Sequence, residues 1–100
     1  MFRLEVVLDV RCYQRSEIFS AQAIDISGSG IRIVSKKKLN VGEEIRLDLT
    51  LLKEKLDLNA RARWVSRKVL ENETFYFAGL QFIDISWKRQ DTLVAEIFKM

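Results

Sequence analysis

The residues best suited to chemistry lie together in the segment Asp25-Ile26-Ser27-Gly28-Ser29-Gly30. A carboxylate accepts hydrogen bonds, and a serine hydroxyl both donates and accepts them. Gly28 and Gly30 permit φ > 0 and a close ligand approach, and successive backbone N–H groups in such a turn can form an anion-binding nest. The segment therefore predicts either a ligand-binding turn or a simple hairpin turn, and taken alone it leaves both open.

Catalytic and metal sites are not expected. The chain has no histidine and a single cysteine, Cys12, so it lacks the commonest general base, the commonest metal ligand and any internal disulfide. Ser27 therefore has no histidine to activate it as a nucleophile. Gly28-Ser29-Gly30 is followed by a strand pattern rather than by Lys-Ser/Thr or a helix, which excludes the Walker and Rossmann phosphate loops. We expect a domain without enzymatic activity, metal or cofactor.

Length and charge narrow the class of ligand. The 100 residues, 48% of them hydrophobic, predict one domain over 1–100, which could be cut from a longer protein. A net charge of +3 suits a small phosphate-bearing ligand but is too weak to predict binding to a nucleic acid polymer. No apolar run approaches the ~20 residues that span a bilayer, and Met1 leads straight into a strand pattern. We therefore expect a cytoplasmic protein without membrane insertion.

Period-two alternation predicts the elements that must position the segment. The strands are expected at about 4–13, 17–26, 31–34, 44–51, 56–64 and 74–83, with a hairpin tip at Glu71-Asn72-Glu73. From Ser86, a plausible N-cap, the period becomes helical and predicts a helix over Trp87–Phe98. Many short antiparallel strands indicate a small barrel or sandwich, which the helix would close.

The same alternation assigns side chains to faces. Ile26 is expected to lie with Ile24 on the face opposite Ala21 and Ala23, and Trp64 on the face of Ala62. Gly79 suggests a bulge or a close backbone approach. The predicted core includes Val6, Leu47, Leu58, Ala62 and Leu80, and it excludes Arg61 and Arg63.

Motif and architecture together resemble the PilZ domain over almost the whole chain. The similarity rests on Asp25-x-Ser27-x-x-Gly30 between two strands, on Gly79-Leu80-Gln81-Phe82 and on the C-terminal helix. It implies an all-β fold, a six-stranded antiparallel, Greek-key-like barrel with a C-terminal α-helix. It also implies binding of cyclic di-GMP, a bacterial second messenger.

The resemblance implies a ligand-binding set of Arg3, Asp25, Ser27, Gly28 and Gly30. Asp25 would accept from guanine, Ser27 would bond phosphate or base, and Arg3 would be the second arginine of the family's R-x-x-x-R arm. The first would lie before Met1, so either the chain is cut within the arm or the protein lacks that arginine; in the first case a chain extended by its preceding native residues is expected to bind more tightly. Arg11-Cys12-Tyr13-Gln14-Arg15 has the same spelling at the end of the first strand, where the family has no arm, and we interpret it as coincidence.

Two functions follow from the resemblance. The first is a cyclic di-GMP receptor that relays motility, biofilm or exopolysaccharide control to a protein partner or fused domain by conformational change. The second is a PilZ-like adaptor that has lost nucleotide binding and acts through protein–protein interaction. An RNA-binding barrel is a weaker third, because no base-stacking aromatic beside a basic groove is evident from the sequence.

Overall fold

Six strands and one helix make up the chain in a computed structural model that describes residues 3–51, 53–85 and 87–99. Within these ranges, the side chains of Arg3, Leu4, Trp87, Lys88, Glu96, Phe98 and Lys99 lie outside the described part. The elements are β1 (Arg3–Gln14), β2 (Glu17–Ser27), β3 (Gly30–Ser35), β4 (Glu44–Leu51), β5 (Glu54–Leu70), β6 (Glu73–Ile83) and α1 (Trp87–Lys99). The predicted all-β class with a C-terminal helix is confirmed.

The strands form a closed barrel in the order β1-β2-β3-β6-β5-β4, and every neighbouring pair is antiparallel. The order is Greek-key-like because β3 continues into β4, which is not its neighbour in the sheet. Closure between β1 and β4 rests on three residue pairs, Arg11↔Asp48, Cys12↔Leu47 and Tyr13↔Arg46. This short contact, the β1–β4 seam, contrasts with the long ladder between β5 and β6.

The barrel interior is filled by aliphatic side chains that alternate along each strand. Four of the five predicted core residues are buried, namely Leu47, Leu58, Ala62 and Leu80. Val6 is only partly buried and packs against this cluster. Arg61 and Arg63 lie outside the core, as predicted.

Two bulges change which face the side chains occupy, and both correct the sequence prediction. Between Ala23 and Asp25 of β2 the register to β3 shifts by one residue, and Ile26 is fully buried in the core with Ala23 instead of facing away from it. A second shift, between Ala62 and Trp64 of β5, leaves the Trp64 side chain 42% exposed. An extra residue in one strand shifts the phase of the alternation, so a strict period of two fails beyond it.

The helix α1 packs its apolar stripe against the barrel. Leu93 and Ile97 are buried, and the helix contacts β2. The predicted cap at Ser86 and the side chains of Trp87 and Phe98 lie outside the described residues. Among the residues that are described, no helix has the length and apolar character required to cross a membrane.

The β5–β6 hairpin reaches past the rest of the barrel. Its turn lies at Glu71 and Asn72, where φ is 50° and 66°, as in the type I′ turns that suit the right-handed twist of paired strands. This confirms the predicted hairpin tip. β6 pairs with β3 only as far as Tyr76↔Ser35, so the end of the hairpin from Lys68 to Phe75 is a two-stranded extension.

Candidate functional site

Asp25 forms a buried ion pair at the end of β2. Its side chain is 2% exposed, and both Nε and Nη2 of Arg32 donate to its Oδ2 atom. Asp25 and Arg32 are cross-strand partners beside the β2 bulge, so backbone geometry brings the two groups together. The Arg32 side chain remains 41% exposed, and the carboxylate therefore fixes a guanidinium that still faces solvent.

The turn that follows is held from three directions. The Ser27 hydroxyl accepts a hydrogen bond from the Ser29 N–H at 3.3 Å, the carbonyl of Ser29 accepts from the Phe82 N–H at 2.9 Å, and Gln90 of α1 donates to the Gly28 carbonyl at 3.0 Å. These bonds fix the turn against β6 and α1. A binding surface fixed in this way loses little freedom when a ligand arrives.

The glycines of the turn serve packing rather than unusual dihedral angles. Neither Gly28 nor Gly30 has φ in the left-handed region, so the expectation that they fold the turn through φ > 0 is wrong. A Cβ at Gly30 would collide with the backbone carbonyl oxygen of Leu80, and one at Gly28 would lie 2.8 Å from Cγ2 of Val94. Close approach to β6 and α1 is therefore what requires glycine here.

A cavity of about 450 Å³ lies beside this turn on the outer barrel wall. Its lining residues come from the turn and from β3, β5 and β6, namely Asp25, Ser27, Ser29, Gly30, Ile31, Arg32, Arg63, Trp64, Gly79, Leu80 and Gln81. Since Arg32 offsets the charge of Asp25, Arg63 leaves the cavity with a net positive charge among its described lining residues. The arrangement suits an anionic ligand with a planar group.

Trp64 lines this cavity, and the sequence prediction did not include it among the site residues. The bulge directs it outward, and a Cβ at Gly79 would lie 2.8 Å from Cδ1 of Trp64 and closer still to Nε1 and Cε2. Gly79 thus leaves room for an indole laid against the strand. The sequence contained part of this information, because Gly79 predicts a bulge or a close backbone approach. It does not show that the Trp64 side chain occupies the space beside Gly79.

The remaining candidate residues are positioned by the β1–β2 ladder. The backbone of Arg3 pairs with Ser27, which brings the start of β1 to the motif, although its side chain lies outside the described part. Arg15 sits in the turn at the other end, next to the Gln14↔Glu17 pair. Asp25 is ten positions along the chain from Arg15 and at the opposite end of β2, so the second R-x-x-x-R spelling does not reach the cavity.

Comparisons with known proteins place these features in a family. The PilZ domain family model matches residues 2–99, and comparison with curated proteins found no match. Among solved structures, the PilZ domain with c-di-GMP of YcgR from Escherichia coli is 16% identical with a TM-score of 0.81, over 98% of this chain and 87% of that one. The Bacillus subtilis inhibitor of motility, MotI/DgrA, is 22% identical with a TM-score of 0.77, over 97% of this chain and 47% of that one.

The K. pneumonia MrkH–c-di-GMP complex is also similar, at 17% identity and a TM-score of 0.76, over 98% of this chain and 51% of that one. The chain thus spans about half the length of MotI/DgrA and MrkH. These structures share its barrel and helix, and the family model covers nearly all of its residues. The chain belongs to the PilZ domain family.

Proposed function

We propose that this domain is a receptor for cyclic di-GMP, which binds in the cavity beside the Asp25–Gly30 turn. The main support for the proposal is that residues of this turn line the same cavity as Arg32, Arg63 and Trp64. The ligand has two guanine bases and two phosphates, so it needs flat surfaces and cationic donors together. Two of the similar structures, from YcgR and MrkH, are c-di-GMP complexes, which supports the same ligand class here.

Each group has a role that follows from its position. Trp64 offers the face of its indole to a guanine base, a contact that tolerates any base but strengthens binding. Arg32 directs its remaining N–H donors to phosphate or to the guanine O6/N7 edge, while Asp25 holds it in place. Ser27 and Gly30 line the cavity, whereas Gly28 does not line it and instead packs the turn against Val94 of α1. Arg3 approaches from the start of β1 and adds charge-assisted hydrogen bonds.

Signalling would use the segment that carries Arg3. The start of β1 lies beside the motif because Arg3 pairs with Ser27. A ligand that binds Arg3 would therefore reduce the backbone mobility at the start of β1. Ordering of a segment is a general way in which a module without catalysis transmits a signal. The receiver would be a fused domain or a protein partner in the cytoplasm, in control of motility, biofilm or exopolysaccharide.

Calorimetric titration with cyclic di-GMP tests the proposal. Asp25→Asn and Arg32→Gln should each weaken binding by about one to two decades, the usual effect of losing a charged hydrogen bond. Because Asp25 acts through Arg32, the double variant should lose about as much as either single one. Losses that add would show that Asp25 contacts the ligand directly, as the sequence alone suggested.

The alternative is an adaptor without nucleotide binding. It predicts no binding heat when this chain is titrated with cyclic di-GMP. Arg15→Ala is the matched control, since this arginine is exposed at the far end of the β1–β2 hairpin.

A further inference from the structure

The outer edge of β5 has no strand beside it for much of its length. The backbone of Ala62 is still paired. The Ala62 carbonyl accepts a hydrogen bond from the Gly42 N–H at 2.8 Å, and the Ala62 N–H donates to the Glu43 carbonyl at 2.9 Å. Past Ala62, within the described part of the chain, β5 pairs with β6 alone. Residues 63–70, here termed the β5 edge, therefore present backbone donors and acceptors that another strand can satisfy.

A groove runs beside this edge. It has a volume of about 460 Å³ and lies between the 38–41 loop and the hairpin, with Val65, Arg67 and Tyr76 along one side and Lys38 and Val41 along the other. Val41 is 66% exposed and Val69 of the edge is 55% exposed. An open edge beside a groove that combines apolar and basic side chains can receive an extended segment as an added strand.

The positive charge of the β5 edge indicates which kind of segment could bind there. Residues 63–70 include three basic side chains, Arg63, Arg67 and Lys68, and no acidic one. Nε of Arg63 donates a hydrogen bond to Oε1 of Gln81, and Nζ of Lys68 lies 5.0 Å from the centre of the Phe77 ring. Neither Arg67 nor Lys68 forms an ion pair with a described residue. Two adjacent cations are thus available to an incoming strand.

We propose that the β5 edge binds an extended acidic segment of a partner protein as a seventh strand. Side chains of an added strand alternate between the two faces, so its residues opposite Val65 and Val69 would be apolar. Those opposite Arg67 and Lys68 would be acidic, because opposite charges directly across a strand pair stabilise it. The partner segment would therefore carry two adjacent acidic residues with apolar residues at defined positions on either side.

A second copy of this chain fits the edge poorly. Pairing of two β5 edges would bring six basic side chains and no acidic one together, and an antiparallel register centred between Arg67 and Lys68 would set these like charges directly opposite each other, which destabilises a strand pair. Basic side chains are a common device against such edge-to-edge pairing. Charge complementarity therefore favours an acidic partner over self-association.

Backbone NMR titration of the isotope-labelled domain tests the proposal. The probes are the capped peptide Thr-Val-Thr-Glu-Glu-Val-Thr and its reverse-order version, since the structure does not fix strand direction. One of them should shift the amides of the β5 edge and of the 38–41 loop in a saturable manner. The peptide with both Glu replaced by Lys should leave them unshifted.

Charge reversal supplies the matched control. The Arg67→Glu/Lys68→Glu double variant should bind the Glu peptide on the order of tenfold more weakly, and the Lys peptide should bind this variant instead. Its cyclic di-GMP affinity should be unchanged, because neither residue lines the cavity beside the Asp25–Gly30 turn. The proposal is overturned if neither Glu peptide shifts the edge amides, if the shifts lie elsewhere, or if those amides shift with protein concentration alone.

Discussion

Adding one methyl group at Gly79 should displace Trp64 and weaken cyclic di-GMP binding. A Cβ on this residue would overlap the indole, with Cδ1 at 2.8 Å and Nε1 and Cε2 closer. Since the Trp64 side chain is 42% exposed, the ring can move toward solvent and relieve the overlap. The indole would then leave the position from which it stacks on a base.

The size of the effect follows from the contact that is lost. Base–aromatic stacking contributes ~1–3 kcal/mol per base, so Gly79→Ala should raise the dissociation constant by about 5- to 150-fold. The fold should survive, because φ at Gly79 is outside the left-handed region and alanine lowers the entropy of the unfolded chain there. The free energy of unfolding, measured with urea, should change by no more than about 1 kcal/mol.

Calorimetry on a double-mutant cycle decides whether Trp64 carries the effect. Trp64→Ala should cause a loss similar to that of Gly79→Ala, and the double variant should lose little more than either. If Gly79→Ala weakens binding equally in the Trp64→Ala background, the methyl group acts through the backbone. If Trp64→Ala binds normally, stacking is not part of the site and the role of the bulge must be reconsidered.

Three further predictions concern the core, the buried thiol and the arm. Leu47→Ala should lower the free energy of unfolding by ~2–5 kcal/mol in urea denaturation, since the side chain is fully buried; a loss near zero would contradict the register. Burial raises the pKa of Cys12 from 9.0 to about 12, so its contribution to stability is complete below pH 9. That contribution falls as the pH rises from 9 to about 12, by up to about 1.4 kcal/mol per pH unit. Cys12→Ala should lack this part of the pH dependence when unfolding is compared across that range. Arg3→Ala should weaken cyclic di-GMP binding by one to two decades, while Arg15→Ala leaves it unchanged; the reverse order in calorimetry would put the arm elsewhere.

The sequence predicted the elements well because alternation and the change of period report burial directly. The six strands, the hairpin at Glu71 and Asn72 and the helix from Trp87 all occur. The face of Ile26 and that of Trp64 were wrong because each follows a bulge. A single sequence does not show where an extra residue is tolerated, since that depends on which strand becomes the neighbour.

The Asp25–Gly30 turn of the candidate site could be predicted from the sequence, but the two arginines that line the cavity, Arg32 and Arg63, could not. Asp25 and Ser27 stood out by type and spacing, whereas Arg32 looked like any solvent-facing arginine of a strand. Its pairing with Asp25 depends on the β2–β3 register, and the proximity of Arg63 and Trp64 depends on β6 lying between β3 and β5. Such long-range neighbours follow from the strand order, which alternation alone does not specify.

The β1–β4 seam has a consequence for motion and folding. Three residue pairs close the barrel there, and Cys12 is 35 positions before its partner Leu47 along the chain. Joining segments so far apart costs chain entropy before any contact repays it, and the three pairs of the seam offset less of that cost than the six pairs between β3 and β6, so the seam should form late in folding and open first in the native state. Amide hydrogens of Arg11 to Tyr13 that bond to β4 should exchange faster than those of the β5–β6 ladder. A barrel that opens along this line separates β1 from β4 while β1 stays paired with β2, so the β1–β2 hairpin would move together, from the seam to the residue that pairs with Ser27.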